Sequence, residues 1–551
     1  MKKEKVLIYL LLLIVCACKK DFLQKDTGVE LSNNDVFTSS SYTTGWADNS
    51  YAFLINDYGY FNGFQGNSSE FSDESIDATN GNVFLVNQGL MLDPNAGDME
   101  TIYAKMYRGI YNVNTFLANY RRVPSAANGS LDIVKAEQFF LRAFFYFELW
   151  KRWGDVIIVD HPLGIFENQD LPRSDKAEVL NFILNDLDSA MTIFTNSKTL
   201  PKRDGSAYGR ASLTTAMALK SRVLLYAASP RFNTTGDLGL WQAAADAASA
   251  LISLSDAKGI FTLENDYGNL LTTAASLEYI MIQNRPARSF ANNTFLDNFI
   301  VPSSSGGFGT FNPTENHAEL YEMSNGMPIS NPLSGYDTGN PYKNRDPRFY
   351  SNLIYNGMTW QKRTISMYDA STGTDYNSAN VFTSRTRYYC KKLWPEVYKA
   401  GNTGTSILNY IYFRYGEILL NYAEALNEAQ GPTFDVYNAI NQIRYRANMP
   451  DLPIGLSQDS MRTRIHNERA VELAFEEHRW WDILRWKQGA QLVGQPMKAM
   501  NVANQQPPYG YTVINLPVQY QKVFYDKMYF YPIPKVEMQK SNGILKQTPG
   551  W

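Results

Sequence analysis

The sequence predicts a mostly α-helical protein in which groups of paired helices flank a long irregular segment. Apolar residues recur at helical spacing in several blocks between residues 99 and 254, and again between 411 and 486. Residues 285–405 have no sustained period and are rich in Gly, Ser, Asn, Pro and Thr. With 44% hydrophobic residues in a chain of 551, one or two large cores can form.

The first helical group follows from periodicity and from its start and stop signals. Ser174 is a good N-cap, while Gly154 and Pro230 are typical helix ends. We therefore expect helices over residues 99–120, 135–154, 174–194, 211–230 and 241–254.

The second helical group is predicted over residues 411–431, 434–448 and 460–486. The first two blocks span 38 residues, near the 34-residue helix–turn–helix unit of tetratricopeptide repeats. Small residues stand where paired helices must approach closely: Ala143, Ala216, Ala218, Ala227, Ala423 and Ala425. This pattern favours a helical repeat scaffold, which usually supplies docking surfaces rather than active sites.

The chain begins with a basic and then apolar segment. Twelve apolar residues, 6–17, follow Lys2, Lys3 and Lys5, which is too short for a membrane-spanning helix and typical of a signal peptide. The segment ends in VCAC, which looks like a bacterial lipobox with Cys18 as the lipidated residue. We expect a signal peptide over 1–17 and a tether over 18–40; the alternative is an ordinary signal cleaved near Ala17.

Charge and cysteine content exclude several classes of protein. The net charge is -3, and loss of three Lys and one Glu with the signal leaves -5, with no basic stripe for nucleic acid. Only Cys390 would remain besides Cys18, so no intramolecular disulfide is expected. The four His have no metal-site spacing, and we expect neither a metal nor another cofactor; a metal near Asp73 and Asp77 stays open.

A charged block near the C-terminus admits two interpretations. Glu468, Glu472 and Glu476 recur every four residues among aromatic and aliphatic side chains. A glycosidase would need two such acids facing an open cleft. Acids on a half-buried helix more often form an ion-pair network, which we predict here. Five tryptophans on dense helices are predicted to be core: Trp150, Trp153, Trp480, Trp481 and Trp486.

Six blocks occur in one order along the chain: FFLRAFFYFELWKRWGDV (139–156), GRASLTTAMALKSRVLLYAASP (209–230), YFRYGEILLNYAEALNE (412–428), AINQIRYRAN (439–448), ERAVELAFEEHRWWDILRW (468–486) and YFYPIPKVEMQKSNGILKQTPGW (529–551). They resemble the SusD/RagB family of Bacteroidetes. The resemblance implies a surface-exposed outer-membrane lipoprotein, held in the membrane by its lipid only, with a tetratricopeptide-repeat scaffold. It implies a non-enzymatic protein that binds a nutrient, usually a glycan, for a SusC-like TonB-dependent transporter.

The same resemblance implies one SusD-like domain over 41–551, with helical parts over about 41–284 and 406–551 and a loop-rich insertion over about 285–405. A ligand site would then lie in loops, where an aromatic face stacks on sugar and polar groups bind hydroxyls. Where family members can carry a Trp as a sugar platform, this chain has Tyr103. The predicted ligand-binding residues are Tyr60, Phe64, Asn67, Asp73, Tyr103, Arg285, Asn292, Phe308, Trp360 and Tyr368. A peptide ligand is the alternative, and a glycoside hydrolase the weaker one.

Overall fold

The structure is a computed structural model that describes most of the chain after residue 32. The described residues are 33–55, 60–61, 64–65, 67–79, 81–96, 99–124, 131–164, 166–197, 209–283, 288–289, 300, 302–394, 405–406 and 408–551. The predicted signal peptide and Cys18 therefore lie outside them, as does most of the tether. Within the described residues the predicted fold class, mostly α with a loop-rich insertion, is confirmed.

The helices are numbered along the chain. They are α1 (Asn33–Val36), α2 (Ser40–Asn49), α3 (Asn82–Asn87), α4 (Met99–Asn119), α5 (Leu131–Trp153), α6 (Lys176–Asn196), α7 (Leu213–Ala228), α8 (Leu238–Lys258), α9 (Glu315–Ala318), α10 (Pro347–Asn352), α11 (Tyr415–Gln430), α12 (Phe434–Arg446), α13 (Gln458–Glu472), α14 (Arg479–Arg485), α15 (Gly489–Leu492) and α16 (Lys535–Lys540). Short 3-10 turns occur at Ser50–Phe53, Ser68–Phe71, Tyr120–Arg122, Tyr267–Asn269, Ser303–Ser305, Val518–Tyr520 and Asp526–Tyr529.

The strands are short and form two-stranded antiparallel pairs. They are β1 (Tyr60–Phe61), β2 (Phe64–Gln65), β3 (Ser75–Asp77), β4 (Tyr279–Gln283), β5 (Arg288–Ser289), β6 (Phe311–Pro313), β7 (Leu353–Ile354), β8 (Thr359–Trp360), β9 (Arg363–Thr364), β10 (Tyr389–Cys390), β11 (Thr405–Ser406), β12 (Tyr410–Arg414), β13 (Lys498–Val502) and β14 (Tyr511–Asn515). The pairs are β1–β2, β3–β6, β4–β12, β5–β11, β7–β10, β8–β9 and β13–β14.

The long helices form a consecutive array. Each of α4 to α7 packs on the next helix, α8 packs on α11, and α11 packs on α12 and α13. Thus α8 and α11 are neighbours in space although the whole irregular segment lies between them in sequence. Strands β4 and β12 flank that segment and pair with each other, from Tyr410 opposite Gln283 to Arg414 opposite Tyr279. The segment therefore leaves and rejoins the helical array at one place. The proposed domain boundaries themselves stay a prediction.

Several helix starts differ from the predicted ones, and two of the differences have a clear physical reason. Asp175, not Ser174, caps α6, because its carboxylate accepts a hydrogen bond from the Ala177 backbone N–H at 2.8 Å. Residues 411–414 belong to β12 rather than to the following helix, since they pair with β4 before α11 begins at Tyr415. The predicted stop at Gly154 is confirmed, and that residue has a φ of 70°.

The predicted helix over 460–486 is wrong in one respect: the chain forms two helices. Helix α13 ends at Glu472 and α14 begins at Arg479, while Phe475 and Glu477 between them have positive φ angles of 62° and 66°. Left-handed conformations of bulky residues are unfavourable and interrupt a helix. Glu476 therefore lies in the connection between α13 and α14.

The three acids of this block are nevertheless buried in a network of cations. The Glu472 carboxylate contacts guanidinium groups of Arg348 at 3.0 Å, of Arg414 at 2.7 Å, and of Arg446. Further pairs in the network are Arg348–Glu468, Arg444–Glu468, Arg414–Glu476, Lys392–Glu476 and Arg414–Glu278. The predicted ion-pair network is confirmed, and it joins the insertion to the helical array through Arg348 and Lys392.

The five tryptophans predicted to be core are buried, with exposed fractions of 0–7%: Trp150, Trp153, Trp480, Trp481 and Trp486. Trp150, Trp153, Trp480 and Trp481 belong to one continuous apolar core that spans the helical array and the insertion, while Trp486 stacks on His466. Among the described residues, no helix combines the length and the apolarity that crossing a bilayer requires.

Acid should weaken the fold through buried neutral histidines. Burial lowers the pKa of His466, which stacks on Trp486 with ring centroids 3.5 Å apart, to about 3. The pKa of an unfolded histidine is about 6.5, so the neutral ring stabilises the fold above that pH and the stabilisation is lost as the pH falls toward 3. As the pH falls from 6 to 4, the unfolding free energy of both proteins should decrease. The decrease per pH unit should be about 1.4 kcal/mol smaller for His466→Phe than for the wild type.

Urea unfolding at several pH values measures this difference. His161→Phe is the matched control, because the His161 side chain is 54% exposed and its pKa is raised by hydrogen bonds to Asp160 and Glu167. A pH dependence equal to that of the wild type in His466→Phe would contradict the prediction.

Candidate functional site

Two aromatic rings stand exposed together on the insertion. Phe308 and Phe382 are 38% and 40% exposed, and their ring centroids are 4.8 Å apart at an interplanar angle of 33°. We call this pair the aromatic face. Phe308 was one of the predicted ligand-binding residues, whereas Phe382 was not. Two adjacent rings that remain accessible to solvent offer a flat apolar surface to a ligand.

The segment that carries Phe308 owes its shape to glycines. Gly306 and Gly309 have φ angles of 90° and 56°, which L-residues with side chains rarely adopt. A Cβ at Gly309 would come within 2.8 Å of the Tyr389 ring and 3.1 Å of the Pro302 backbone. The chain can therefore turn tightly over Tyr389 and present Phe308 outward.

A buried asparagine joins the two segments of the aromatic face. The Asn312 side chain donates to the Gly309 carbonyl at 2.8 Å and accepts from the Arg385 backbone N–H at 2.7 Å. The Asn380 side chain accepts from the Phe382 backbone N–H at 2.9 Å. Hydrogen bonds of this kind fix the local backbone, so both rings are held on a defined frame.

A partly exposed cation, Arg363 on β9, contacts the segment that carries Phe308. The Arg363 guanidinium donates to Asp375 at 2.8 Å and lies 3.3 Å from the Ser304 hydroxyl, which itself donates to Asp375 at 2.6 Å. The Arg363 side chain is 37% exposed, whereas that of Asp375 is 2% exposed. Arg363 can thus offer donors to a ligand hydroxyl while Asp375 holds it in place.

The turn after β3 is linked through Tyr520 to the segment that follows Phe382. Arg385 lies over the Tyr520 ring at 6.0 Å, and the Tyr520 hydroxyl donates to the Ala78 carbonyl at 3.0 Å. Next to Ala78, both Asp77 carboxylate oxygens accept hydrogen bonds from their own turn, from Thr79 and Gly81. In the part of the chain that the structure describes, no group of three His, Cys, Asp or Glu side chains is placed to hold a metal ion.

Two predicted ligand residues beside this loop have structural roles instead. Asn67 is 2% exposed and its side chain accepts from the Ser69 backbone N–H, capping a 3-10 turn. Asp73 is 5% exposed and forms a two-point pair with Arg479 at 2.8 and 2.7 Å. Burial raises the pKa of Asp73, but the Arg479 guanidinium outweighs it and holds the pKa below its usual range. Neither side chain is free to bind a ligand.

Tyr103 is also buried, in contrast to the expected open platform. It is 3% exposed and packs edge-on against Trp153, with ring centroids 5.0 Å apart, and burial raises its pKa to about 12. It forms part of the wall of a mainly apolar groove of about 560 Å³ that Phe53, Tyr107 and Tyr111 also line. The helical periodicity that places Tyr103 between Met99 and Met106 on the buried face of α4 explains this placement.

Trp360 and Tyr368 do not form an exposed surface either. Trp360 is 2% exposed, lies edge-on to Trp394 with centroids 5.5 Å apart, and has the Lys391 ammonium 5.1 Å from its ring. Tyr368 is half-buried and packs against the main core. Buried aromatic residues of the insertion thus extend the core that it shares with the helical array.

Trp360→Phe should therefore leave ligand binding unchanged. The substitution removes buried indole volume but also removes an indole N–H that has no hydrogen-bond partner among the described residues, so a net loss of about 1 kcal/mol in unfolding free energy is expected. Thermal unfolding and a binding titration on the same variant measure the two effects. A weaker ligand affinity at unchanged stability would contradict the placement of Trp360 in the core.

Four predicted ligand residues remain: Tyr60, Phe64, Arg285 and Asn292. Tyr60 and Phe64 lie in the β1–β2 hairpin, where Tyr60 is opposite Gln65. Arg285 and Asn292 lie outside the described residues. Their roles as ligand contacts stay predictions, as does that of Phe308.

Comparison with known proteins agrees with the fold. A model of the SusD family matches residues 276–551, and one described as starch-binding associating with outer membrane matches residues 56–225. A SusD-like protein P2 of Formosa agariphila is 25% identical over 576 residues, covering 100% of both chains.

Solved structures give the same result. A SusD-like protein of Bacteroides fragilis superposes with a TM-score of 0.75 at 25% identity, covering 96% of this chain and 99% of the other. A SusD-like carbohydrate binding protein of the same species superposes with a TM-score of 0.75 at 22% identity, covering 93% and 99%. The chain belongs to the SusD family.

Proposed function

We propose that this chain is a lipid-anchored outer-membrane protein that binds an oligosaccharide on its aromatic face and delivers it to a SusC-like TonB-dependent transporter. The observation that carries the proposal is the exposed pair Phe308 and Phe382 on the insertion, where the partly exposed Arg363 contacts Ser304 of the segment that carries Phe308. Sugar rings have apolar C–H faces and rims of hydroxyl groups. Stacked aromatic rings match the former, and a guanidinium matches the latter.

Binding without cleavage fits the surroundings of the acids. Glu468, Glu472 and Glu476 are 0–4% exposed and each contacts at least two cations. A general acid needs a raised pKa and access to the glycosidic oxygen. Burial raises the pKa of Glu472, but three guanidinium groups outweigh it and hold the pKa well below its usual range. These acids therefore serve the fold.

A peptide ligand is the main competitor. A site lined by several free arginines and acids would favour a peptide, whereas an open aromatic surface favours a glycan. Among the described residues around the aromatic face, Arg363 is held by Asp375 and Arg385 donates to the Ser378 carbonyl at 3.4 Å. The aromatic face is uncharged and accessible to solvent, so we infer a neutral saccharide.

Native gels that contain different polysaccharides test this proposal. A soluble form that starts after Cys18 should be retarded by one polysaccharide, without release of reducing sugar from it. Retardation by none, together with binding of peptides, would replace the glycan by a peptide. Release of reducing sugar would make the protein a hydrolase. The intact chain should co-purify with a TonB-dependent barrel from detergent-solubilised outer membranes.

A further inference from the structure

A groove of about 730 Å³ lies on the helical array, between α12 and the end of α8. Its lining residues are Asp256, Phe261, Thr262, Leu263, Asn265, Tyr415, Asn438, Asn441, Gln442, Tyr445, Arg446 and Asn448. We call it the amide groove. It shares no residue with the aromatic face. Its volume lies in the range of about 300–1000 Å³ that is typical of small-molecule sites.

One face of α12 supplies most of the polar wall. Asn438, Asn441, Gln442 and Tyr445 have the spacing i, i+3, i+4 and i+7, which places them on the same side of a helix. The opposite face of α12 is buried, and α12 packs on α11. The polar face is therefore the side of the helix that remains turned toward the groove.

Four amide side chains in the groove make no hydrogen bond to the described part of the protein: Asn265, Asn438, Gln442 and Asn448. Asn441, by contrast, accepts from the Leu452 backbone N–H at 3.0 Å. A primary amide has two donor hydrogens and an acceptor oxygen. The groove thus presents a dense set of free donors and acceptors side by side.

The groove also has aromatic surface. Tyr445 at its edge is 82% exposed, and Tyr415 lies beneath, stacked on Phe261 with ring centroids 6.2 Å apart. An exposed ring beside free amides is the combination that matches a sugar, since one face of a sugar ring is apolar and its edge carries hydroxyl groups.

Charge in the groove is nearly neutralised. Arg446 is one of the two charged lining residues, and its guanidinium is already paired with Glu472 and with Glu278, the latter at 3.4 Å. Asp256 is the other, and it is exposed. The carboxylates of a peptide would find no free cation among the lining residues, and Asp256 is the one carboxylate there that could meet its ammonium groups. The chemistry favours a neutral polyhydroxylated ligand.

We propose that the amide groove is a second saccharide-binding subsite of this chain. The inference rests on the proposed function for its class of ligand and extends it to a second place on the protein. Two subsites on one chain would hold the same polysaccharide at two points, and the second contact would then form at a high effective concentration. The aromatic face and the amide groove would act together on long chains and separately on short ones.

Saturation-transfer NMR with short oligosaccharides tests the groove alone. The probes are maltohexaose, cellohexaose, laminarihexaose, xylohexaose, mannohexaose and chitohexaose, each added to the soluble protein and to the variant Phe308→Ala/Phe382→Ala. On that background, Asn438→Ala/Gln442→Ala/Tyr445→Ala removes the groove contacts. Alanine is the best helix former, so α12 should persist, and circular dichroism checks that it does. Phe434→Ala is the matched control, since this 82% exposed ring lies on the same helix but does not line the groove.

The proposal expects one oligosaccharide to give a signal with the aromatic-face variant, at least tenfold weaker after the groove substitutions and unchanged by Phe434→Ala. A signal that survives the groove substitutions, or one that the aromatic-face variant has already lost, would overturn the amide groove and leave the proposed function standing. No signal with the wild type for any probe would overturn both. Retention of a peptide pool by the wild type and by Phe434→Ala, but not after the groove substitutions, would make the groove a peptide site.

Discussion

Replacing Glu472 by alanine should lower the free energy of unfolding by about 3–5 kcal/mol. The Glu472 carboxylate has no exposed surface and forms ion pairs with the guanidinium groups of Arg348, Arg414 and Arg446. Its removal leaves three buried guanidinium groups with fewer anions than cations nearby. An uncompensated buried charge is far more unfavourable than the original pair was favourable. Urea unfolding followed by circular dichroism measures the loss.

The matched control is Asp459→Ala on the same helix. Asp459 pairs with Arg462, but its side chain is 88% exposed, and such pairs contribute less than about 1 kcal/mol. Glu472→Gln, which keeps the shape and removes the charge, should fall between the two. A loss for Glu472→Ala no greater than for Asp459→Ala would show that the network does not hold the insertion on the helical array.

Removing both rings of the aromatic face should weaken glycan binding roughly 30- to 150-fold in Kd. Each ring can bury roughly 50 Å² of further apolar surface against a sugar, worth about 1–1.5 kcal/mol at about 25 cal/mol per Å². The rings of Phe308 and Phe382 are adjacent, and each contributes one ring to the binding surface. Each single variant should therefore show about half of the loss in binding free energy. Isothermal titration with the retarding glycan, cut to soluble length, measures Kd.

Phe166→Ala controls for the loss of an exposed phenylalanine elsewhere. Phe166 is 98% exposed in the connection between α5 and α6, away from the insertion in sequence. The Phe166→Ala variant should bind the glycan with the same Kd as the wild type. Stability should change little in all of these variants, because both rings of the aromatic face are more than one-third exposed. An unchanged Kd for Phe308→Ala/Phe382→Ala would move the site away from the aromatic face.

The helices could be predicted because their apolar spacing is regular and their ends carry local signals, as at Gly154. The break between α13 and α14 could not be predicted, since LAFEEH has helix-forming residues throughout. At this position tertiary contacts determine the backbone conformation. The Phe475 backbone N–H donates to Glu74, a residue 401 positions away, and Glu476 contacts Arg414. Such long-range partners override local propensity.

The sequence narrows the proposed site to loops, and its residues stay predictions. Aromatic residues of the insertion divide between the shared core, as with Trp360, and the surface, as with Phe308, and no periodicity separates the two. Phe382 was missed, although NSANVF offers a signal: two asparagines that favour a turn directly before an exposed apolar pair. Residue type alone favoured Trp360, because tryptophan is the larger platform, but size also favours burial.

The β4–β12 pair holds both ends of the insertion together, so the insertion can be regarded as an exchangeable segment, or cassette. Its entry and exit are fixed side by side, so segments within it can lengthen or shorten without moving the helices that follow. Loop closure penalises length weakly, at about 0.6 kcal/mol for each doubling. Loops of the insertion could thus be exchanged while the helical array stayed the same. In protein engineering, Gln283 and Tyr410 mark where a foreign cassette could be joined.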